Sequence, residues 1–376
     1  MEYSLKAKSI ITPTKSIYNG EIIINNSKIK SVSSEDAKSK NQFLLKDQVI
    51  FPGLINAHDH LLGNYFPRIG DGPYINWLPW DNDLKSSPVY AERSKIPPKL
   101  IYALGSYRNI FSGVTTVSDH IPHFVNEPYI NVLPIRIIGN YTLAHESSSY
   151  DLKWGEGVAI EHQKALKNNF PFITHIEEGY DDESETGIEY LLKEKALSEH
   201  TVLIHAIALS DEDIKEVSKK KANIVWCPNS NIFMFNRTGN VKKWLTQRIN
   251  VSLGTDSPMS GGLHLLDELQ FAKKIYKKMY NDEIDDYTLT CFVTINPAKA
   301  FRISKEVGSL EKDKNADLVA ISPRSKDPYA SLVNAQLKDV SLVIINGKPV
   351  YGDREFEELF KFLKVKYSKF KLDGAE

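Results

Sequence analysis

Residues 51–61, FPGLINAHDHL, decide how this chain is read. The apolar run ahead of His58 and His60 predicts a strand, with the two histidines two apart at its end. Side chains at i and i+2 of a strand share a face, so both imidazoles point the same way. Two neutral imidazoles on one face can hold one cation. The C-terminal end of such a strand is also where barrel enzymes place their active sites. An H-x-H pair alone is weak, because paired surface histidines are common.

The pattern recurs further along the chain. His175 ends FPFIT, His205 ends TVLI and Asp256 follows NVSLGT, each a polar residue placed just after a short apolar strand. A single such histidine reads most simply as a hydrogen-bonded core or surface residue. Four strands ending this way are hard to explain as packing, because a buried imidazole or carboxylate must find a partner or bear its desolvation cost. A shared metal supplies that partner. Histidines with one aspartate make a nitrogen-rich, borderline-hard set that suits one divalent ion, Zn(II) first and Fe(II) as the alternative, with a position open for water. Such an ion lowers the pKa of its water toward neutrality. Glu178, three residues after His175, falls in the loop over the strand ends, where it would serve as a proton shuttle. Read alone, it is more simply an exposed loop glutamate beside Glu177.

Around these residues the texture is that of an α/β protein. Short β-rich runs (VTTVSDH, IRIIGNYTLAH, FPFITHIEE, HTVLIHAIAL, NIVWCPN, NVSLGTD) alternate with amphipathic segments such as PKLIYALGSYRNIFS, GVAIEHQKALKNN, GIEYLLKEKAL, DEDIKEVSKKK and LHLLDELQFAKKIYKKMY, which predicts a parallel sheet. Residues 1–50 read as strands with turns, among them Asn25-Asn26. After TINPAKAFRI the chain returns to β-type runs, with Asn346-Gly347 a strong hairpin signal. The tail EFEELFKFLKVKYSKFK reads as an amphipathic helix that packs on the protein.

Composition narrows the function. The 376 residues are 41% hydrophobic and 25% charged, ordinary globular values. With 47 Lys and Arg against 48 Asp and Glu, the formal charge is -1, so no basic field exists to hold nucleic acid or an anionic membrane. Two cysteines imply no disulfide framework and make a reducing cytoplasm the expected compartment. No apolar run is long enough for a spanning helix, which needs about 18 residues.

PGLINAHDH, HIEEG, CPNSN, GTDSPMSGG, TINPAKA and GSLEKDKNADLVAI resemble, in order and spacing, the amidohydrolase superfamily, over about residues 5–353. Within it they look most like the branch that contains guanine and cytosine deaminases, S-adenosylhomocysteine and methylthioadenosine deaminases, and triazine hydrolases. The resemblance implies a metal-dependent (β/α)8 TIM-type barrel over residues 51–303. A small β-sandwich domain built from residues 1–50 and 304–376 would flank it. It makes His58, His60, His175 and Asp256 the metal ligands. His205 would lie by the hydrolytic water and polarise the reacting centre, Glu178 would pass protons, and Asp256 would also take the first proton from the water.

The implied reaction is attack of hydroxide on an sp2 ring carbon with expulsion of ammonia, that is, deamination of an amino-substituted N-heterocycle such as a purine, pyrimidine or nucleoside-type compound. The alternative is hydrolysis of another C–N, C–Cl or C–S bond. A catalytically silent binding scaffold is remote, because it would be expected to have lost some of these residues.

The sequence departs from the family pattern between His60 and His175, where strand candidates are few. One clear strand, IRIIGNYTLAH, stands where the family supplies two β/α units, so either a strand is hidden, for instance within FVNEPYINVLPIR, or the barrel is abbreviated around its third unit. His145 corresponds roughly to a substrate-facing histidine, with a surface-loop position as the even alternative. Asp119, His120 and His123 follow the second strand and could reach the pocket, but read more simply as a loop cluster without a catalytic task. The segment 64–83 concentrates Tyr65, Phe66, Tyr74, Trp77 and Trp80, aromatic faces suited to a planar ring or, equally, a lid. Exposed aromatics there hint at a homodimer. Phe233 and Phe235 are further ring-binding candidates. Asn229, Asn231 and Ser257 read as turn chemistry, and Cys227 as a small buried hydrophobe.

Overall fold

Alternating apolar and polar residues make the terminal segments strands, and near-continuous apolar runs make the central ones. In a computed structural model, which describes residues 1–34, 39 and 41–371, the strands are β1 (Glu2–Ile11), β2 (Ser16–Tyr18), β3 (Glu21–Asn25), β4 (Lys28–Ser33), β5 (Gln42–Pro52), β6 (Leu54–Asp59), β7 (Val114–Asp119), β8 (Arg136–Ile137), β9 (Thr142–Glu146), β10 (Phe172–Ile176), β11 (Thr201–His205), β12 (Asn223–Trp226), β13 (Asn250–Leu253), β14 (Leu318–Ile321), β15 (Val340–Ile345) and β16 (Lys348–Gly352).

The two chain ends share one eight-stranded sheet, in the order β16-β15-β14-β5-β1-β3-β4, with β2 paired to β1. The ladders join these strands in a single sheet; they do not divide them into the two layers of the expected sandwich. Both predicted turns are present. Asn26 and Asn346 take left-handed backbones, which Asn tolerates, and Gly347 follows with φ +72°. A Cβ on Gly347 would stand 2.0 Å from the Asn26 carbonyl oxygen, so the tips of the N- and C-terminal hairpins touch where only glycine fits.

The eight central strands run parallel in two sheets, β6-β7-β8 and β13-β12-β11-β10-β9. A bridge between Asp59 and Asp256 links them at one seam, and no ladder among the described residues joins β8 to β9. Helices form where the 3.6-residue periodicity places them, at Pro98–Phe111, Val158–Asn168, Gly187–Lys193, Asp211–Lys219 and Leu265–Tyr280. No described helix is long and apolar enough to cross a membrane.

Three readings change. IRIIGNYTLAH is two strands, because the chain leaves the β7 ladder after Ile138, whose N–H reaches the Val117 carbonyl, and joins β10 only from Thr142. The missing strand is therefore present, as a two-residue β8 with no helix before β9. Second, PNSNIFMF is a helix, Pro228–Phe235, with proline in its first turn. Third, the tail is α-helical only over Glu357–Phe362, after a 3-10 turn at Arg354–Phe356. Leu359 and Phe360 of the helix pack against the terminal sheet.

Candidate metal centre

The parallel strands deliver the site at their C-terminal ends. His58 lies in β6 with His60 just after it, His175 in β10, His205 at the end of β11, and Asp256 past β13. Backbone bonds around this rim fix their relative positions: His60 N–H to Asp256 O, Asp256 N–H to His58 O, Ser147 N–H to His175 O and Ala206 N–H to Ile176 O.

The side chains converge. Asp256 Oδ1 lies 3.4 Å from His58 Nε2 and 3.3 Å from His60 Nε2. The His58 and His175 rings are 5.0 Å apart, and His175 and His205 5.3 Å. His58, His60 and Asp256 form one cluster with metal-ligating spacing, and His175, Glu178 and His205 form another. His60 is the most open, with 17% of its side chain exposed; His58, His205, Glu178 and Asp256 are buried.

The donor chemistry fits a divalent cation. Both ring nitrogens of His58 are buried without a hydrogen-bond partner, a costly state unless something electropositive meets them. Burial pushes His58 down to about 3 and holds His175 well below the usual histidine range, so both imidazoles are neutral. His175 Nδ1 donates to the His145 carbonyl at 2.7 Å, which leaves Nε2 as its lone pair. Burial alone would raise Asp256, but His58 and the surrounding imidazoles hold its carboxyl below the ordinary range. Its Oδ2 accepts from the hydroxyls of Ser230, at 2.7 Å, and Ser260.

Glu178 is not an exposed loop residue. Burial, reinforced by the charges of Asp256 and Glu146, raises its carboxyl well above the ordinary range. Its Oε1 lies 3.5 Å from His205 Nε2. Asn231 sets the tautomer of His205: its Nδ2 donates to Thr238 Oγ1 at 3.0 Å, so its Oδ1 accepts from His205 Nδ1–H at 2.8 Å. Nε2 of His205 is then an acceptor facing the Glu178 carboxyl. Asn231 and Ser230 thus hold functional groups from inside a helix, whereas CPNSN reads as turn chemistry. Asn229 donates twice to Glu268, as a helix anchor.

Over this floor lies the aromatic segment. Phe66, Trp77 and Trp80 are buried with Met234 and Phe235 in one cluster within the chain, and Tyr65 and Tyr74 are half-buried. Trp80 donates to the Ile69 carbonyl at 2.9 Å and shapes the lid. Trp77 donates to buried Glu146 and meets His145 edge-on at 4.7 Å. His145 is itself buried, so its surface-loop alternative falls. Phe233 is half-buried beneath the Arg68 guanidinium, 4.6 Å from its ring centre. The lid is tied to the Glu178 loop by Trp77 N–H to Glu178 O and Tyr180 N–H to Ile75 O. The loop-cluster reading of Asp119 and His120 also changes. Asp119 is buried and binds Leu61 N–H and the Tyr102 hydroxyl, and His120 is buried against His175. His123, exposed, stacks on Tyr141.

Residues 164–350 match the amidohydrolase family. A 5-methylthioadenosine/S-adenosylhomocysteine deaminase of Thermoanaerobacter pseudethanolicus is 28% identical, over 82% of this chain and 83% of the relative. Among solved structures, an atrazine chlorohydrolase from Arthrobacter aurescens TC1 complexed with zinc superposes with a TM-score of 0.79 at 19% identity, covering 93% of this chain and 95% of the other. An adenosine deaminase from Xanthomonas campestris with bound zinc gives 0.77 at 18% identity, covering 94% and 93%. These two likenesses concern the fold.

Proposed function

We propose that this chain, which carries an amidohydrolase-family domain, is a metal-dependent hydrolase that deaminates an amino-substituted N-heterocycle of the purine, pyrimidine or nucleoside type. Residues 51–303 are its catalytic unit, read as a TIM-type barrel. The observation that carries the reading is a buried Glu178 carboxyl 3.5 Å from His205 Nε2, at the edge of histidines and one aspartate gathered at metal-ligating spacing. The deaminase relative supports the reaction class.

His58, His60, His175 and Asp256 would hold one divalent ion, zinc first. When bound, it supplies an acidified water at neutral pH. The chain's residues manage the protons. Asp256 takes one proton from the attacking water. Glu178 gives its own proton to the ring nitrogen beside the attacked carbon. As a carboxylate it then collects the remaining hydroxyl proton and passes it to the departing amine, which leaves as ammonia while the carbon becomes a carbonyl. The proton on Asp256 restores Glu178. His205, whose Nδ1–H is committed to Asn231, presents Nε2 as an acceptor to the attacking water and helps position it. The Trp77, Trp80 and Phe66 lid excludes bulk water from these transfers.

The test is ammonia release by zinc-loaded protein over aminopurines, aminopyrimidines, adenosine-type thioethers and aminotriazines. Release with one ring class, abolished in Glu178→Gln while the metal stays bound, is the expected outcome. Silence across the panel with the metal bound, or full activity of Glu178→Gln, overturns it.

A further inference from the structure

We infer that His120 belongs to the cation site, its Nδ1 forming a ligand position delivered from the end of β7 beside His58 and His175. This rests on the cation-site reading above and extends it to a residue outside the motif-matched set. His58, His120 and His175 each bring a ring nitrogen within 4.8 Å of the other two, and all three residues are buried. The His120 ring stacks on His175 at 4.5 Å and 21° and lies 5.6 Å from that of His58.

The hydrogen bonds decide which atom is offered. His120 Nε2 lies 3.2 Å from the Ala144 carbonyl, which can only accept, so Nε2 carries the proton and Nδ1 the lone pair. That Nδ1 is buried with no hydrogen-bond partner. The next carbonyl on β9, that of His145, orients His175 in the same way. Consecutive carbonyls of one strand thus each fix the tautomer of an imidazole, the device by which proteins orient metal-bound histidines. A histidine kept only for packing is expected to satisfy both nitrogens. Here imidazole lone pairs crowd one buried space, where they repel one another and where a cation makes all of them favourable.

Three variants separate ligation from packing. His120→Phe keeps a ring against His175 without a lone pair. His120→Gln replaces the Nε2 donor to Ala144 and offers nothing at Nδ1. His120→Asn places a polar atom near the Nδ1 position. Metal-free protein is titrated with Co(II), following the visible d–d bands and competing with a chelator, with circular dichroism to verify folding. Phe and Gln are expected to weaken Co(II) by about 10-fold or more and to change the bands, with Asn recovering part of the loss. If Phe does not fold, Gln decides. Wild-type affinity and bands in the folded variants overturn the role of His120 and leave the deaminase reading standing. A wild-type protein that binds no Co(II) overturns both.

Discussion

Trp77→Phe tests whether the lid is bound to the floor of the site by a charge-bearing hydrogen bond. The indole Nε1–H reaches a carboxylate oxygen of Glu146, whose other oxygen has no hydrogen-bond partner. Burial raises the Glu146 carboxyl to about 7, and the Trp77 donor opposes that rise. A hydrogen bond to a charged group contributes about 1.5–3 kcal/mol, so its loss lifts the carboxyl by about 1–2 further pH units. Between the unfolded value of 4.5 and about 7 the folded protein holds a proton that the unfolded chain has released. Stability therefore falls as pH rises through that window and levels off above it. In Trp77→Phe the fall continues to higher pH. The variant should lose about 1 kcal/mol of packing at every pH and about 2 kcal/mol more at pH 9 than at pH 5. For a chain of this length, that extra loss is about 2–3 °C in Tm. Thermal melts of metal-free protein at the two pH values measure it, and an equal Tm deficit at both would refute the reasoning.

Two further substitutions probe the floor. Ser230→Ala leaves Asp256 Oδ2 with the Ser260 hydroxyl as its remaining side-chain donor, and zinc affinity should fall about 10–100-fold in chelator competition. In Gly254→Ala the new Cβ would sit 2.6 Å from His58 Cβ and 2.8 Å from its backbone nitrogen. A displaced His58 should cost about 1–3 kcal/mol in denaturant melts and most of the bound zinc by elemental analysis.

What the sequence discloses follows from how local each signal is. His58, His60, His175 and Asp256 stand out because they end three short apolar strands, and strand periodicity puts the pair His58 and His60 on one face. The turn at Asn346-Gly347 is local in the same sense. Asn231 and Ser230 are different. Their partners, His205 and Asp256, are 26 residues away in sequence, and they reach them only because PNSNIFMF winds into a helix behind β12. His120 is hidden for a similar reason. Its neighbours His58 and His175 come from other strands, and nothing in VTTVSDH distinguishes a loop histidine from one stacked on a ligand. The β8–β9 break escapes periodicity because IRIIGNYTLAH is apolar enough for one continuous strand; only the exchange of partners, from β7 to β10, divides it.

The backbone at the rim is equally illegible, and it carries the geometry of the site. Glu177, His205, Ala206 and Asp256 all adopt left-handed φ angles, from +49° to +69°. Such conformations cost L-residues about 1–3 kcal/mol each and ordinarily select glycine or asparagine. Turn chemistry in the sequence would therefore place these bends elsewhere. They persist because their neighbours over-determine them: Ala206 N–H is held by the Ile176 carbonyl, Asp256 N–H by His58 O, and the Asp256 carbonyl by His60 N–H. Each of these bonds ties the end of one strand to a neighbouring strand's end. The strain that turns His205 and Asp256 inward is thus supported by the same rim that sets the spacing of the ligands. A glycine at any of these positions would relieve the local cost, but at His205 or Asp256 it would also remove the side chain that the bend serves to aim. The fold tolerates the unfavourable backbone where the chemistry needs the residue.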